Sequence, residues 1–488
     1  MLLASLVLLA GGCSDSSPSP DGSDGAARDG GGDAVVEGGG GDGGGVAPSI
    51  AIDGLFDDWA ALPELASDAS GDQQSGGFDV VSLRATSRGS VLYLSLAGAA
   101  ALNLFSGPAG APALRVELSL PAGKRLTIDL LAHAIYQDGD PARTLTWGDI
   151  AFLIAPTYAA ERYEMRVDLA RLGVKRGDRI GIDVAGADAL AAPVELDLSY
   201  DAEPTATPRD SGRAADTTVR VVSLNTQFDG LHDSARRDAI GRLLHAAAGD
   251  IYVLQEITNV TSSESSIAAR LKAIDPHGDG ASWNVHLDPD GRGRAIASRS
   301  ALLPLPKPGQ SGGYAAVALT LPGGQRLVIF DIHPVCCGYA GSSADKTRNA
   351  QLEEAAQLVK NLRGGTLGAS FADYQSAPII AIGDWNLVAS RTPLDVMTDP
   401  NGPALERWPL RNLVGDDSYT WVAPPAADAF PPGTLDHVTH TPAPALERRN
   451  GFVLDSGLLD APTLSALGLQ KGDSAATDHR MLVADFKL

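Results

Sequence analysis

Residues 379–386 read Ile379-Ile380-Ala381-Ile382-Gly383-Asp384-Trp385-Asn386: four apolar residues, a glycine, then a carboxylate and an amide two positions apart. Pro378 and Gly383 bound the apolar run, as expected of a short strand covered on both faces. In an extended chain residues i and i+2 project from the same side, so Asp384 and Asn386 are predicted to point together into one site. A carboxylate that can activate water, beside an amide that can orient a phosphate oxygen, makes a hydrolytic pair. Taken alone, the same residues read equally well as a turn after a strand.

The pattern recurs on both sides of this stretch. Residues 219–224 form an apolar run that ends in Asn225, residues 251–254 run into Gln255-Glu256, and residues 327–332 run into His333. Between them lie helical periodicities. One is capped by Asp233 or Ser234, with Ala235, Ile240, Leu243 and Leu244 apolar before Gly249; another spans about 344–362 with Leu352, Ala355, Ala356, Val359 and Leu362 on one face. Leu435-Asp436-His437-Val438 and Thr477-Asp478-His479-Arg480-Met481 place their acidic residues at strand starts instead. Four strands therefore enter a common site by their C-terminal ends and two leave it by their N-terminal ends, which predicts sheets of mixed direction in an α/β layering.

The rest of the 488-residue chain is of a different texture. Residues 1–13, MLLASLVLLAGGC, are apolar and then small up to a cysteine, the layout of an export signal. Leu9-Ala10-Gly11-Gly12-Cys13 resembles a bacterial lipobox, which implies lipidation of Cys13, although no Lys or Arg precedes the apolar run. Residues 14–47 are mostly Ser, Pro, Asp and Gly, with hardly any large apolar residues, and bury too little to fold. They are expected to be a disordered tether that holds the next segment on the order of 30 Å from a membrane. Residues 48–203 carry short strand-like runs at regular spacing, expected to form an all-β sandwich, and 204–217 reads as a linker to the segment 218–488. Ile50-Ala51-Ile52-Asp53-Gly54-Leu55-Phe56-Asp57-Asp58-Trp59, with residues 163–169, resembles the carbohydrate-binding, family-9-like sandwich modules. That resemblance implies a glycan as candidate ligand, for which Trp59, Tyr93, Tyr136, Trp147 and Tyr158 are the rings available to stack or to fill the core.

Composition narrows the chemistry further. A net charge of −22 argues against a broad polyanion-binding surface, though a bound divalent cation can supply local positive charge. The three cysteines form neither a disulfide framework nor a metal-binding pattern. With Cys13 lipidated, Cys336 and Cys337 remain, adjacent and three residues beyond His333: either a vicinal disulfide that stiffens this loop or two reduced thiols.

Ser223-Leu224-Asn225, Gln255-Glu256, Asp331-Ile332-His333, Gly383-Asp384-Trp385-Asn386, Leu435-Asp436-His437-Val438 and Thr477-Asp478-His479-Arg480 together resemble the ordered motif set of the endonuclease/exonuclease/phosphatase superfamily, the deoxyribonuclease-I-like fold. Trp385 stands where that family more often has Phe or Leu. The resemblance implies a four-layer αββα sandwich over residues 218–488, preceded by the all-β sandwich, and Mg²⁺-dependent phosphoester hydrolysis, with Mn²⁺ or Ca²⁺ as alternative ions. It implies Glu256 as main metal ligand with Asn225 beside it and Asp478 supporting the metal shell. Asp384 is implied to orient or deprotonate water, Asn386 to hold that water or a phosphate oxygen, and His479 to bind phosphate with Asp436 fixing its tautomer. His333 is implied as a second phosphate ligand or as the acid at the leaving oxygen. Residues 292–299 match the family's Gly-Ala-Ile-Leu-Ser-Arg strand.

The expectation is thus an exported, lipid-anchored phosphodiesterase, nuclease or phosphatase of the bacterial envelope. Its substrate would be nucleic acid, a phospholipid headgroup or a small nucleotide. The alternative is a surface binding or adhesion lipoprotein on an inactive hydrolase fold.

Overall fold

The computed structural model describes residues 50–73, 77–104, 113–201, 206, 208–258, 262–309, 312–423 and 430–488. The export signal with Cys13 and the tether fall outside the described residues.

Alternation along the strands builds two packed sheets between residues 219 and 487. One has the order Asn284–Leu287, Ala295–Ser298, Ile251–Gln255, Val219–Asn225, Met481–Lys487, Glu447–Leu454. The other has the order Leu302–Pro304, Tyr314–Thr320, Arg326–Ile332, Ile379–Asp384, Asp436–His440, Glu406–Arg407. Val219, Val221, Ile251 and Val253 from the first sheet meet Val317, Ile329, Ile380 and Ile382 from the second in a core between them. Residues of opposite parity face outward: Val222, Leu224 and Leu254 take the helices Arg237–Ala247 and Glu264–Ile274, and Val328, Phe330, Ile379 and Ala381 take the helix Ser343–Arg363. Period-two alternation on both faces of both sheets therefore yields the four layers αββα.

Direction is mixed as expected. Val219–Asn225 runs parallel to Ile251–Gln255 and antiparallel to Met481–Lys487; Ile379–Asp384 runs parallel to Arg326–Ile332 and antiparallel to Asp436–His440. One boundary shifts: the helix expected from Asp233 or Ser234 begins at Arg237. Asp233 Oδ1 instead accepts the Ala235 amide in a local turn, the usual competition of Asp side chains with helix backbone.

Ahead of these layers, two wholly antiparallel sheets of five and six strands close on one core, the expected β-sandwich. Trp59, Tyr93, Trp147 and Tyr158 are buried and Tyr136 is half-buried, so four of the five rings available for sugar stacking serve packing. Residues 48–488 make one compact unit. The sandwich meets the loops at the end of the αββα layers through backbone carbonyls. Thr157 Oγ1 donates to Leu387 O at 2.6 Å and Thr434 O at 3.1 Å, Asn103 Nδ2 donates to Val388 O at 2.8 Å, and the Ser418 amide donates to Ile52 O at 3.2 Å. Pro208 bridges Val414 and the Arg209 amide donates to Leu413 O at 2.7 Å, so the described part of 204–217 lies hydrogen-bonded along the αββα layers. Among the described residues no helix is long and apolar enough to cross a membrane.

Candidate active site

At the end of the inter-sheet core where the site lies, the inward-facing positions turn polar. Ser223, Gln255 and Asp331 continue the inward-facing parity of Val221, Val253 and Ile329. Gln255 Nε2 donates to Asp331 Oδ1 at 2.7 Å and to Ser223 Oγ at 3.3 Å, tying one sheet to the other. Burial pushes the Asp331 carboxyl well up, and the Gln255 amide opposes it. One residue further along each strand the cleft opens. Gly383 permits that exit: its φ is +146°, and a Cβ there would meet Ile332 O at 2.2 Å, so no other residue fits beside the paired strand.

At the mouth, Asp384 is the hub. Its Oδ2 accepts from Asn225 Nδ2 at 3.1 Å, lies 3.6 Å from His479 Nε2 and lies 3.8 Å from His333 Nε2. Glu256 stands opposite, with Oε1 3.1 Å from Asn225 Nδ2 and 3.9 Å from His333 Nε2, and Oε2 accepting the Phe228 amide at 2.9 Å. Asn225 thus bridges the two carboxylates through its nitrogen, while its oxygen accepts the Gln227 amide at 2.9 Å. Glu256 and Asn386 both have left-handed backbone, φ 59° and 50°, a costly conformation of the kind held at functional sites. The Asn386 amide donates to Asp384 Oδ1 at 2.9 Å, and its Nδ2 donates to Pro334 O at 3.1 Å, locking the loop after His333 to the loop after Asp384.

His479 Nδ1 lies 2.8 Å from Asp436 Oδ2, and both residues are buried. Burial alone would lower the His479 pKa, but the Asp436 and Asp384 carboxylates override it and raise it to about 10. His333 goes the other way: burial lowers it to about 4 against the pull of Asp384. One imidazole is therefore a cation at neutral pH and the other is neutral. Burial pushes Asp384 up, with the His479 cation opposing. Asp478 is held by Trp421 Nε1 at 3.2 Å.

All of the expected residues therefore converge on one end of the paired sheets. Glu256, His333, Asp384, Asn386, Asp478 and His479 line a cavity of about 550 Å³, with Asn225 and Asp436 directly behind. Cys336 and Cys337 are on its rim as exposed free thiols with sulfurs 2.8 Å apart. Sequence reasoning missed the other walls. Phe228, 77% exposed, with Val388, Trp421, Phe430 and Leu435, makes them largely apolar, and among the described residues Arg292 is the sole Lys or Arg lining the cavity. The exposed Phe228 follows directly on the Asn225 motif and was the one signal in the chain for this wall. As to a metal, the carboxylates of Glu256, Asp384 and Asp478 with amide neighbours are hard oxygen donors, a set that suits a divalent cation such as Mg²⁺.

Among solved structures the chain is similar to the human Nocturnin catalytic domain, at 16% identity over 57% of this chain and 95% of that one, with a TM-score of 0.38. It is similar also to an endonuclease/exonuclease/phosphatase from Beutenbergia cavernae, at 17% identity over 56% and 72% of the two chains, TM-score 0.35. A third is the AP endonuclease LMAP from Leishmania major, at 12% identity over 58% and 93%, TM-score 0.37. A comparison with curated proteins returned no match. The sequence model of the Endonuclease/Exonuclease/phosphatase family matches residues 222–479, more than half of the chain and every strand end that carries the site. The chain belongs to the endonuclease/exonuclease/phosphatase family.

Proposed function

We propose that the chain hydrolyses phosphoesters with the help of a divalent cation, Mg²⁺ or Mn²⁺. The observation that carries this reading is the convergence on Asp384 Oδ2 of Asn225, His333 and His479, with Glu256 alongside. Glu256 would hold the cation, with Asp478 nearby; when bound it supplies charge to polarise the phosphoryl group. Asp384, desolvated and flanked by imidazoles, orients water and accepts its proton. His479, kept cationic by Asp436, binds a phosphoryl oxygen and stabilises the charge that develops there. His333, neutral at physiological pH, fits a hydrogen bond to substrate better than an ion pair. Asn386 positions Asp384 through its backbone amide.

The walls support a small phosphoester with an apolar or aromatic substituent over a polyanion. Among the described residues a single Arg lines the cavity and the chain carries −22, whereas nucleic-acid binding rests on several phosphate contacts. The sandwich at 48–203 we read as a buttress for the site loops, on the strength of the Thr157, Asn103 and Ser418 bonds. Export, with lipidation at Cys13, completes the proposal. The test is turnover of a panel of phosphomonoesters, aryl diesters, nucleotides and DNA with and without Mg²⁺; an inert protein on every class, metal-loaded, would remove the reading and favour the adhesion alternative.

A further inference from the structure

A second cluster of hard oxygen donors lies in the antiparallel sandwich, away from the catalytic cleft. Asp68, Asp72 and Asp188 bring carboxylate oxygens within 4.8 Å of one another. Asp68 and Asp72 follow the short strand Ala66–Ser67 of one sheet, and Asp188 follows Arg179–Gly186 of the other. Asp188 is fixed in place, its Oδ2 accepting the Val80 amide at 2.6 Å and its Oδ1 the Ala189 amide at 2.9 Å. Carboxylates this close repel one another, and among the described residues no Lys, Arg or His pairs with any of them.

An independent observation points the same way. Asp79, 7% exposed, accepts the Ser70 hydroxyl at 3.1 Å and the Gly71 amide at 2.9 Å on Oδ2, which sets its carboxyl inside the 68–72 loop; its Oδ1 is buried with no donor. Asp68 Oδ2 and Gln73 Oε1 are likewise buried without a donor. All three orphans are acceptors. Native structures rarely leave such atoms unsatisfied, and a group of acceptors that no N–H or O–H reaches is what a cation satisfies.

We propose that Asp68, Asp72, Asp79 and Asp188, with the Gln73 amide oxygen, form a Ca²⁺ site that pins the 68–73 loop of one sheet to the 187–190 loop of the other. Several carboxylates plus an amide oxygen, contributed by two loops, match the 6–8 oxygen ligands and tolerant geometry of Ca²⁺; Mg²⁺ demands a tighter octahedron and keeps its waters. The ion's role is structural: it joins the two sheets at an end where the first contributes only the two-residue strand Ala66–Ser67.

The experiment uses the full chain carrying Glu256→Gln, so that the catalytic carboxylate does not compete. Chelator-stripped protein is titrated with CaCl₂ by calorimetry and followed by thermal melting. The expected result is one Ca²⁺ per chain, a Tm that climbs with calcium concentration, and Mg²⁺ weaker by about tenfold or more. Asp188→Asn should abolish the binding. Asp72 is exposed, so Asp72→Asn should fold normally, melt in chelator no lower than its parent, and bind Ca²⁺ about tenfold more weakly. No calcium-dependent heat or Tm shift at millimolar Ca²⁺ overturns the proposal, as does unchanged affinity in Asp72→Asn.

Discussion

Replacing Asp436 by Asn removes one charge from a buried pair and leaves its shape. In the native cleft His479 rises from an ordinary 6.5 to about 10 although burial opposes it, and Asp436 is the largest contributor through its charge and its 2.8 Å hydrogen bond. The interval corresponds to about 5 kcal/mol in favour of the imidazolium. Asp384 and Asp478 raise it too, while the charge in the Asp436 hydrogen bond is worth about 1.5–3 kcal/mol. Without it the imidazolium is less stabilised and Nδ1 loses the carboxylate that fixes the ring's orientation. If cationic His479 stabilises the transition state, kcat should drop about 10- to 150-fold at neutral pH, with KM changing little. Initial rates on an aryl phosphodiester, beside a urea melt, measure both sides. The fold should survive, because Asp436 also holds its place through its amide to Thr420 Oγ1 at 2.9 Å. A variant that melts as wild type does and keeps wild-type kcat would refute the assignment of His479 as a charged phosphate ligand.

Four further outcomes follow from the same geometry. Thr157→Val removes the hydroxyl that ties Leu387 O and Thr434 O; it should cost about 1–3 kcal/mol and lower kcat severalfold, and an unchanged melt and rate would show the sandwich contact to be idle. In chelated protein the folded state resists protonation of His333, near 4, and of His437, lowered well below 6.5, so their contribution to stability is lost as pH falls from 6.5 toward 4. His479 has the opposite sign: its contribution is full below 6.5 and is lost as pH rises toward 10, and His479→Gln should abolish that alkaline limb in denaturant titrations. Cys336 and Cys337 stand exposed as free thiols at the rim of the cleft, so iodoacetamide should modify both in folded protein without reductant; protection of both until reductant is added, read by peptide mass, would contradict this.

The αββα layers were legible because six short, mostly apolar runs each carry a polar residue at one edge; Ile380, Ile382 and Asp384 share one parity, and position alone puts the carboxylate at the cleft. The neighbours of each site residue were less legible. Asn225 has the right place, but which of its atoms faces Glu256 is decided by the turn to Gln227. Asp331 sits on a core-facing position between strands, and only its charge there betrayed the Gln255 tie. The sandwich's grip on the site left no periodic signal, since Thr157 and Leu387 are 230 residues apart and the acceptors are backbone carbonyls. The aromatic residues of the sandwich were equally compatible with stacking or packing, because ring content does not report exposure. The helix start at Arg237 was displaced by an Asp side chain that chose a turn over a cap.

The central claim is that Glu256 and Asp384 at the mouth of the paired sheets carry a metal-dependent phosphoester hydrolysis. The most direct measurement is the turnover of an aryl phosphodiester by wild type, Glu256→Gln and Asp384→Asn, each in Mg²⁺ and in excess chelator. The account predicts that chelator abolishes wild-type turnover and Mg²⁺ restores it, and that each variant is slower by about two orders of magnitude or more while folded. Undiminished hydrolysis in chelator, or in either folded variant, would contradict it.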